Sequence, residues 1–408
     1  MRILVISQYY YPEQFRVTDI CEELVKRGHD VTVVTGLPNY PEGEIYPGYK
    51  NAYRTAEVKN NVRILRCNLR PRHKGVFNLM LNYLSFVVES IKLLSNIKLE
   101  FDVIYVYEIS PITLALPGIW YKKRNNIPIY LYCLDIWPEC VRDAHNGRKL
   151  MSKKNFVFLV SKFISCYIYN NVDLIGNKTE GFLNYLENEC HVNKNKMKLL
   201  HEHAEDIYLT VPEIPVKNDI VDFVFLGNIG SSQNCELFVN AFKKLKNIDY
   251  ARIHFVGDGS NIENLKKLVS NLELENYIYF HGQHSLIETM RYYELADCCI
   301  MSLLNDTDTG ITPPGKLYGY MAASRPVLAA IGGDSKSIIE KANCGWCMNP
   351  NDLDGLCEVM DEIICKKHDL IKMGKNGRDY FLNNFTLDKH VTELVDQLNS
   401  LINNEVNE

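Results

Sequence analysis

Lys316 is the residue with the clearest chemical possibility. It follows Thr312-Pro-Pro-Gly315 and opens an apolar run, from Leu317 to Ala323, that reads as a helix. Prolines favour the loop and first turn of a helix. Lys316 therefore falls in the first turn, where its charge opposes the helix dipole. A cation placed there makes sense beside a bound anion; the plain alternative is a solvated lysine. Gly227-Asn228-Ile-Gly230-Ser231-Ser-Gln233 supplies a second anion-suited element. It follows a strand pattern and precedes a helical one, and backbone N–H groups at such a turn suit a phosphate. Glycines there are equally ordinary turn chemistry, so the segment alone is ambiguous. Gly257-Asp-Gly259 is another strand-end turn. Asp306-Thr-Asp308 could hold Mg²⁺ or Mn²⁺, but short acidic pairs are common in loops and no metal is expected. Cys344-Gly-Trp-Cys347 follows a helical stretch and leads into a strand, the reverse of the order a reactive pair at a helix N-terminus needs. These read as core cysteines.

The elements around these residues alternate. Strand patterns at 3–6, 29–35, 102–107, 129–134 and 173–176 are separated by helical spacing. Two prolines in a polar stretch mark a linker at 205–218. The rhythm restarts with strands at 222–226, 251–256, 277–280, 298–303, 327–331 and 345–348. Such alternation implies parallel sheets with helices on both faces. The fold class is therefore α/β, with two doubly wound domains in tandem: 1–204 and 219–385, with a final helix in 386–408 packing back on the first. Ligands in such sheets bind beyond the carboxyl ends of the strands, and the space between two domains is the default site.

Composition limits the function classes. The chain has 408 residues, is 46% hydrophobic and carries a formal charge of −5, which excludes disordered, collagen-like and low-complexity proteins. The charge is uneven: residues 1–204 hold 27 Lys+Arg against 20 Asp+Glu, and the rest hold 18 against 30. Two acid-free stretches carry the basic excess. Residues 58–88 include Arg63, Arg66, Arg70, Arg72 and Lys74 and run into an apolar helix pattern. Residues 144–172 include Arg148, Lys149, Lys153, Lys154 and Lys162 around Phe156–Val160 and Phe163-Ile164. Basic residues beside apolar helices suit an anionic membrane surface; ordinary core helices with basic flanks are the alternative. No nucleic-acid module is present. Thirteen cysteines without regular spacing fit a reducing cytoplasm. No signal peptide is read, and no run of 18 uninterrupted apolar residues suggests a transmembrane helix.

Several motifs converge on one family. They are Ile6-Ser-Gln-Tyr-Tyr-Tyr-Pro-Glu13, Thr35-Gly-Leu-Pro-Asn-Tyr-Pro-Glu42, Leu134-Asp-Ile-Trp-Pro-Glu139, Phe225-Leu-Gly-Asn-Ile-Gly230, Val256-Gly-Asp-Gly259, Phe280-His-Gly282, and Pro314 through Met321-Ala-Ala-Ser-Arg-Pro-Val327. From end to end the chain resembles the bacterial retaining glycosyltransferases of GT-B fold, family four. Within that family it resembles the L-fucosamine transferases of O-antigen and capsule synthesis.

The resemblance implies transfer of a sugar, an amino- or deoxyhexose, from a nucleotide diphosphate donor, read as UDP-linked. The acceptor would be a polyprenyl-diphosphate-linked glycan, and the enzyme would sit on the inner face of the bacterial cytoplasmic membrane. The C-terminal domain would bind the nucleotide sugar and the N-terminal domain the acceptor, with no cofactor or metal. Gly227, Asn228, Gly230, Ser231, Gln233, Gln283, Thr312, Gly315, Lys316 and Leu317 are the implied donor-binding positions. Lys316, Asp135 and Glu108 are the candidates for catalysis, the two acids for acceptor or sugar hydroxyls or else as structural groups. Many members carry two glutamates where this chain has Ile311 and Gly319, an Arg and a Lys where it has Asn228 and Gln233, and a His at Leu134. Lys316 then carries more of the phosphate role. Two alternatives share the architecture: a sugar-nucleotide 2-epimerase, and a catalytically silent sugar-nucleotide-binding subunit.

Overall fold

The computed structural model describes residues 1–49, 56–73, 75–143, 156–215, 219–304, 312–365 and 369–405. It divides into two compact units. One holds Met1–Glu139, Leu150–His201 and Leu387–Glu408, the other Cys140–Lys149 and Glu202–Thr386.

The first unit is built on an eight-stranded sheet. Its strands are β1 (Arg2–Ile6), β2 (Asp30–Gly36), β3 (Ala56–Lys59), β4 (Val62–Cys67), β5 (Val103–Glu108), β6 (Ile129–Cys133), β7 (Leu174–Asn177) and β8 (Met197–Leu199). The order is β3-β4-β2-β1-β5-β6-β7-β8. Only β3 runs antiparallel to its neighbour. β1, β5 and β6 are almost wholly buried apolar runs, as strands covered on both faces must be. Helices α1 (Val17–Lys26), α2 (Val76–Ser95), α3 (Leu116–Asn125), α5 (Phe156–Asn171) and α6 (Glu180–Cys190) accompany it, and the short α4 (Glu139–Asp143) passes from this unit into the second after Glu139.

The second unit carries β9 (Val221–Leu226), β10 (Ala251–Val256), β11 (Ile278–Gly282), β12 (Cys298–Ser302), β13 (Val327–Ala330) and β14 (Gly345–Met348). They are ordered β11-β10-β9-β12-β13-β14 and all parallel. Between and after them lie α7 (Glu236–Lys243), α8 (Ile262–Asn271), α9 (Leu286–Leu295), α10 (Lys316–Ala322), α11 (Gly333–Ala342), α12 (Leu353–Cys365) and α13 (Asp369–Asn384). The last helix, α14 (Leu387–Glu405), belongs to the first unit. Its Val391, Leu394, Leu398 and Leu401 join the core cluster of Ile3, Val5 and Tyr105, and Arg27 pairs with Asp388 at its start at 2.7 Å.

Both sheets are doubly wound, so strand order reverses between β1 and β5 in one and between β9 and β12 in the other. The crevices at the carboxyl ends of those pairs are where such folds hold ligands.

Two expectations change. The segment at 205–218 is not a free linker in its described part. Residues Asp206–Thr210 form a 3₁₀ turn, Val211 is buried, and buried Arg325 donates to the carbonyls of Pro212 and Glu213 at 2.8 and 3.1 Å. Proline stops a helix but leaves carbonyls that a guanidinium can bind. In their described part, the basic stretches also present less surface charge than their composition suggests. Arg66 is buried against Glu57 at 2.8 Å, and half-buried Lys162 pairs with buried Glu139 at 3.0 Å. Lys74 and residues 148–154 lie outside the described residues.

What α2 and α5 do expose is apolar. Phe77, Met80, Leu84 and Val88 lie open on α2; Phe156, Leu159, Val160 and Phe163 lie open on α5, with Phe77 at 72% and Phe163 at 73% exposure. The stretch Phe77–Ser95 is long and apolar enough to cross a bilayer by length and composition, a match that core helices also reach, and 28% of it is buried. The criterion of an unbroken apolar run misses it because Asn82, Ser85, Glu89 and Lys92 interrupt it.

Candidate functional site

In the second unit β9 and β12 pair only at Phe223↔Cys298 and Val224↔Cys299. Beyond that the strands part, which strands leaves peptide groups that need partners. Tyr320 of α10, fully buried, supplies them. Its hydroxyl accepts from the Leu226 N–H at 3.1 Å, and the Ile300 and Leu226 carbonyls lie 3.3 and 3.4 Å away as acceptors. One helical turn earlier, Lys316 is thereby held over the opened strand ends.

The Lys316 ammonium lies 3.6 Å above the centre of the Phe225 ring and donates to the Gln233 side-chain carbonyl at 2.8 Å. Burial pushes its pKa down to about 7. A cation over an aromatic face, beside a neutral amide, is available to an incoming anion. Gly227, exposed and at φ +120°, sits directly over it: a Cβ there would lie 3.7 Å from the Lys316 Nζ.

The glycine turn itself differs from a simple phosphate cradle. The Gly227 N–H donates to the Val256 carbonyl and the Ile229 N–H to the Asp258 carbonyl, both at 2.9 Å. These two groups fasten the turn to the end of β10. A 3₁₀ turn, Ser231–Gln233, then intervenes before α7 begins at Glu236. Gly257 and Gly259 are glycines because the turns touch: a Cβ on Gly257 would overlap the Gly227 carbonyl oxygen, and one on Gly259 would lie 2.5 Å from that of Ile229. Beside the Ser231 turn is a cavity of about 450 Å³ lined by Ser231, Asn234, Glu236, Ser260, Asn261, Asn264 and Leu304. Its amides, hydroxyls and single carboxylate match a hydroxyl-rich group better than a phosphate.

The structure thus gathers Gly227, Asn228, Gly230, Ser231, Gln233 and Lys316 at one switch point. Gly315 caps α10. Leu317 turns into the core and its N–H donates to Pro314, so it offers nothing to a ligand. Thr312 is half-buried at the edge of the described chain, and Gln283 is exposed just after β11. Ile311, Asp306 and Asp308 lie outside the described residues. Gly319 is buried, and a Cβ on it would meet the Tyr293 hydroxyl at 3.0 Å and the Tyr208 ring at 3.3 Å. The space a family glutamate would use is filled by two tyrosines. Cys344 and Cys347 pack in or against the core, and burial raises both thiols to about 12.

Glu108 and Asp135 lie in the first unit. Glu108 ends β5 and is fully buried. Its Oε2 accepts from the Leu134 and Asp135 N–H groups at 3.2 and 3.3 Å and from the Cys133 thiol at 3.3 Å. Its other oxygen is buried with no hydrogen-bond partner among the described residues. Burial and then the Asp135 charge raise its pKa to about 8, so near neutrality it is a neutral acid. Sealed in this way, it does not reach a ligand hydroxyl; it braces the turn that carries half-buried Asp135. Its burial and internal bonds match the structural alternative for Glu108 and not contact with acceptor or sugar hydroxyls. Sequence reasoning missed Tyr320, Phe225, Tyr208 and Tyr293, because nothing in their spacing separates them from other core aromatics.

Comparison with known proteins fits this geometry. Residues 14–162 match the glycosyl transferase 4-like domain, and residues 221–366 match glycosyl transferases group 1. The alpha-monoglucosyldiacylglycerol synthase of Acholeplasma laidlawii is 21% identical over 385 residues, 86% of each chain. A GDP-mannose-dependent phosphatidylinositol monomannoside mannosyltransferase of Mycobacterium tuberculosis is 22% identical over 156 residues, and the chain spans 40% of that relative's length. Among solved structures, sucrose-phosphate synthase from Thermosynechococcus elongatus superposes with a TM-score of 0.79 at 15% identity, over 98% of both chains. Anabaena HepE in complex with UDP and glucose gives 0.71 at 14%, over 98% of this chain and 100% of that one. With both doubly wound units matched in chain order, the protein belongs to the group 1 glycosyl transferases of GT-B fold.

Proposed function

We propose that this protein is a retaining glycosyltransferase that moves a hexose-type sugar from a nucleoside diphosphate, read as UDP, to an acceptor hydroxyl. The observation that carries the reading is Lys316, an ammonium held over Phe225 at the switch point whose hydrogen-bond partner among the described residues is a neutral amide. In the reaction the acceptor oxygen attacks the anomeric carbon from the side the diphosphate leaves. The sugar–phosphate bond breaks, and a departing phosphate oxygen takes the acceptor proton. Lys316 offsets the charge on that leaving group. The polar cavity beside Ser231 supplies groups for sugar hydroxyls, in place of the glutamates absent at Ile311 and Gly319. No metal is required for this route.

The acceptor we propose is a lipid-linked glycan, such as a polyprenyl-diphosphate carrier in O-antigen, capsule or exopolysaccharide synthesis, used by an enzyme resting on the cytoplasmic face of the membrane. The exposed apolar rows of α2 and α5 support this, with exposed Arg70 beside them. So does the likeness to a synthase of a glucosylated diacylglycerol.

Incubation with a panel of nucleotide sugars and lipid-linked acceptors, with mass spectrometry of the products, tests both statements. Sugar transfer with retained configuration is expected. No transfer and no donor hydrolysis from demonstrably folded protein would refute the enzyme reading. The tyrosine-filled site at Gly319 favours one alternative, a silent binding subunit, which calorimetry would reveal as nucleotide binding without turnover.

A further inference from the structure

A second chemical feature lies in the first unit, on the seam between α5 and α6. Three contacts fix the register of that seam. Lys162 of α5 donates to the Tyr185 hydroxyl of α6. One turn on, the Cys166 and Cys190 sulfurs stand 2.6 Å apart. One further turn on, the Asn170 amide donates to the carbonyl of Cys190 and to that of Cys166, both at 2.9 Å. Cys166 is half-buried and reaches solvent, whereas Cys190 is buried. Both are thiols.

This arrangement differs from the other cysteines. Cys344 and Cys347 are core groups with raised pKa values, as described above. Cys166 instead is pushed below its ordinary value, first by the hydrogen bond with Cys190 and then by the Lys162 charge. A solvent-reaching thiol whose ionisation is eased, beside a buried second thiol that can resolve it, is the arrangement that reversible oxidation requires. The flanking contacts keep the pair together, so closure needs no rearrangement of the helices.

We propose that Cys166 and Cys190 form a peroxide-responsive dithiol, closing reversibly to a disulfide that ties α5 to α6. The Cys166 thiolate attacks a peroxide oxygen: an S–O bond forms, the O–O bond breaks, and hydroxide leaves. The Cys190 thiol, giving up its proton, then attacks the Cys166 sulfur: the S–S bond forms, the S–O bond breaks, and a second hydroxide leaves. The two thiol protons neutralise the two hydroxides. Two thiols are oxidised by two electrons and hydrogen peroxide is reduced to two waters. Two thiols of a reductant reverse the change. The consequence is local: the closed form staples the helix that carries Phe156, Leu159 and Phe163. The proposal is independent of sugar transfer.

The experiment uses the reduced full chain. It is treated with hydrogen peroxide, alkylated, digested with trypsin without reductant and mapped by mass spectrometry. Cleavage after Lys162, Lys178 and Lys194 puts one cysteine on each of the two peptides. The expected result is a Cys166–Cys190 crosslink in most chains before exposed Cys365 is oxidised, removed by dithiothreitol. In Cys190→Ser, dimedone should label Cys166; in Cys166→Ser, position 190 should stay unlabelled. The map of the unaltered chain decides the matter even where a variant folds poorly. Recovery of both cysteines as separately alkylated thiols, at a dose that oxidises Cys365, would overturn the proposal. A crosslink of either cysteine to a different partner would do the same.

Discussion

At the residue scale the site depends on groups whose charge state the fold has moved. Lys316 is near half-protonated at neutral pH because burial lowers its pKa to about 7. A diphosphate bound beside it would favour the charged form. UDP binding should therefore take up a proton at pH 8 and weaken as pH rises above about 7. Titration calorimetry in buffers of different ionisation enthalpy measures the uptake, which Lys316→Ala should abolish. The same variant should lower turnover by roughly 10²-fold, as loss of one charge-stabilising donor can; near wild-type turnover would remove the phosphate role. Glu108 works in the opposite sense. Its folded pKa, about 8, lies above its ordinary 4.5. Between those values the folded state keeps a proton that the unfolded chain releases, so stability falls as pH rises through the window. Glu108→Gln should flatten that slope in urea unfolding curves measured at pH 5 and pH 8.

At the element scale, the short helix α10 organises the donor end of the sheet. Its seven residues place Lys316 over the strand ends and Tyr320 between them. Tyr320→Phe leaves a buried N–H and buried carbonyls without their partner. It should cost about 1–3 kcal/mol in chemical denaturation and lower turnover by misplacing Lys316. A variant as stable as the parent would show that the splay of β9 and β12 is maintained by other contacts. The same helix shows why a family position cannot simply be restored. Gly319→Glu would drive a carboxylate into Tyr208 and Tyr293. It should destabilise by about 1–3 kcal/mol through overpacking alone, with no gain in donor affinity.

At the scale of the whole molecule, the described part of the basic stretches presents less charge than composition suggests. Arg66 and Lys162 serve internal ion pairs, and the surface they leave on α2 and α5 is aromatic and aliphatic. Membrane attachment, if it rests on those rows, is therefore driven more by insertion than by charge. Phe77→Ser with Phe163→Ser should reduce binding to vesicles by roughly tenfold for each change, since burying one such side chain is worth about 1.5–3 kcal/mol. Neutralising Arg70 should have a smaller effect, confined to anionic vesicles. Unchanged co-sedimentation of the double variant would exclude these helices as the contact.

Most of the architecture was legible in the chain alone, although the pattern missed the outer strands β3, β4 and β8 of the first sheet, which are short or carry charged residues. Buried parallel strands must be continuous apolar runs, and helices between them must show their own period, so the two doubly wound sheets follow from local pattern. The glycine turns were legible too, because only glycine tolerates the backbone of Gly227 and the close approach at Gly257. Lys316 stood out because a cation in a first helical turn opposes the dipole. What the sequence could not decide is what lies between elements distant in the chain. That Glu108 is sealed beneath the Asp135 turn, that Tyr320 fills the parted strands, that Tyr208 occupies the space beside Gly319, and that Cys166 meets Cys190 depend on packing across tens to more than a hundred residues. Side-chain identity and spacing carry no record of those distances; only the closed tertiary structure sets them.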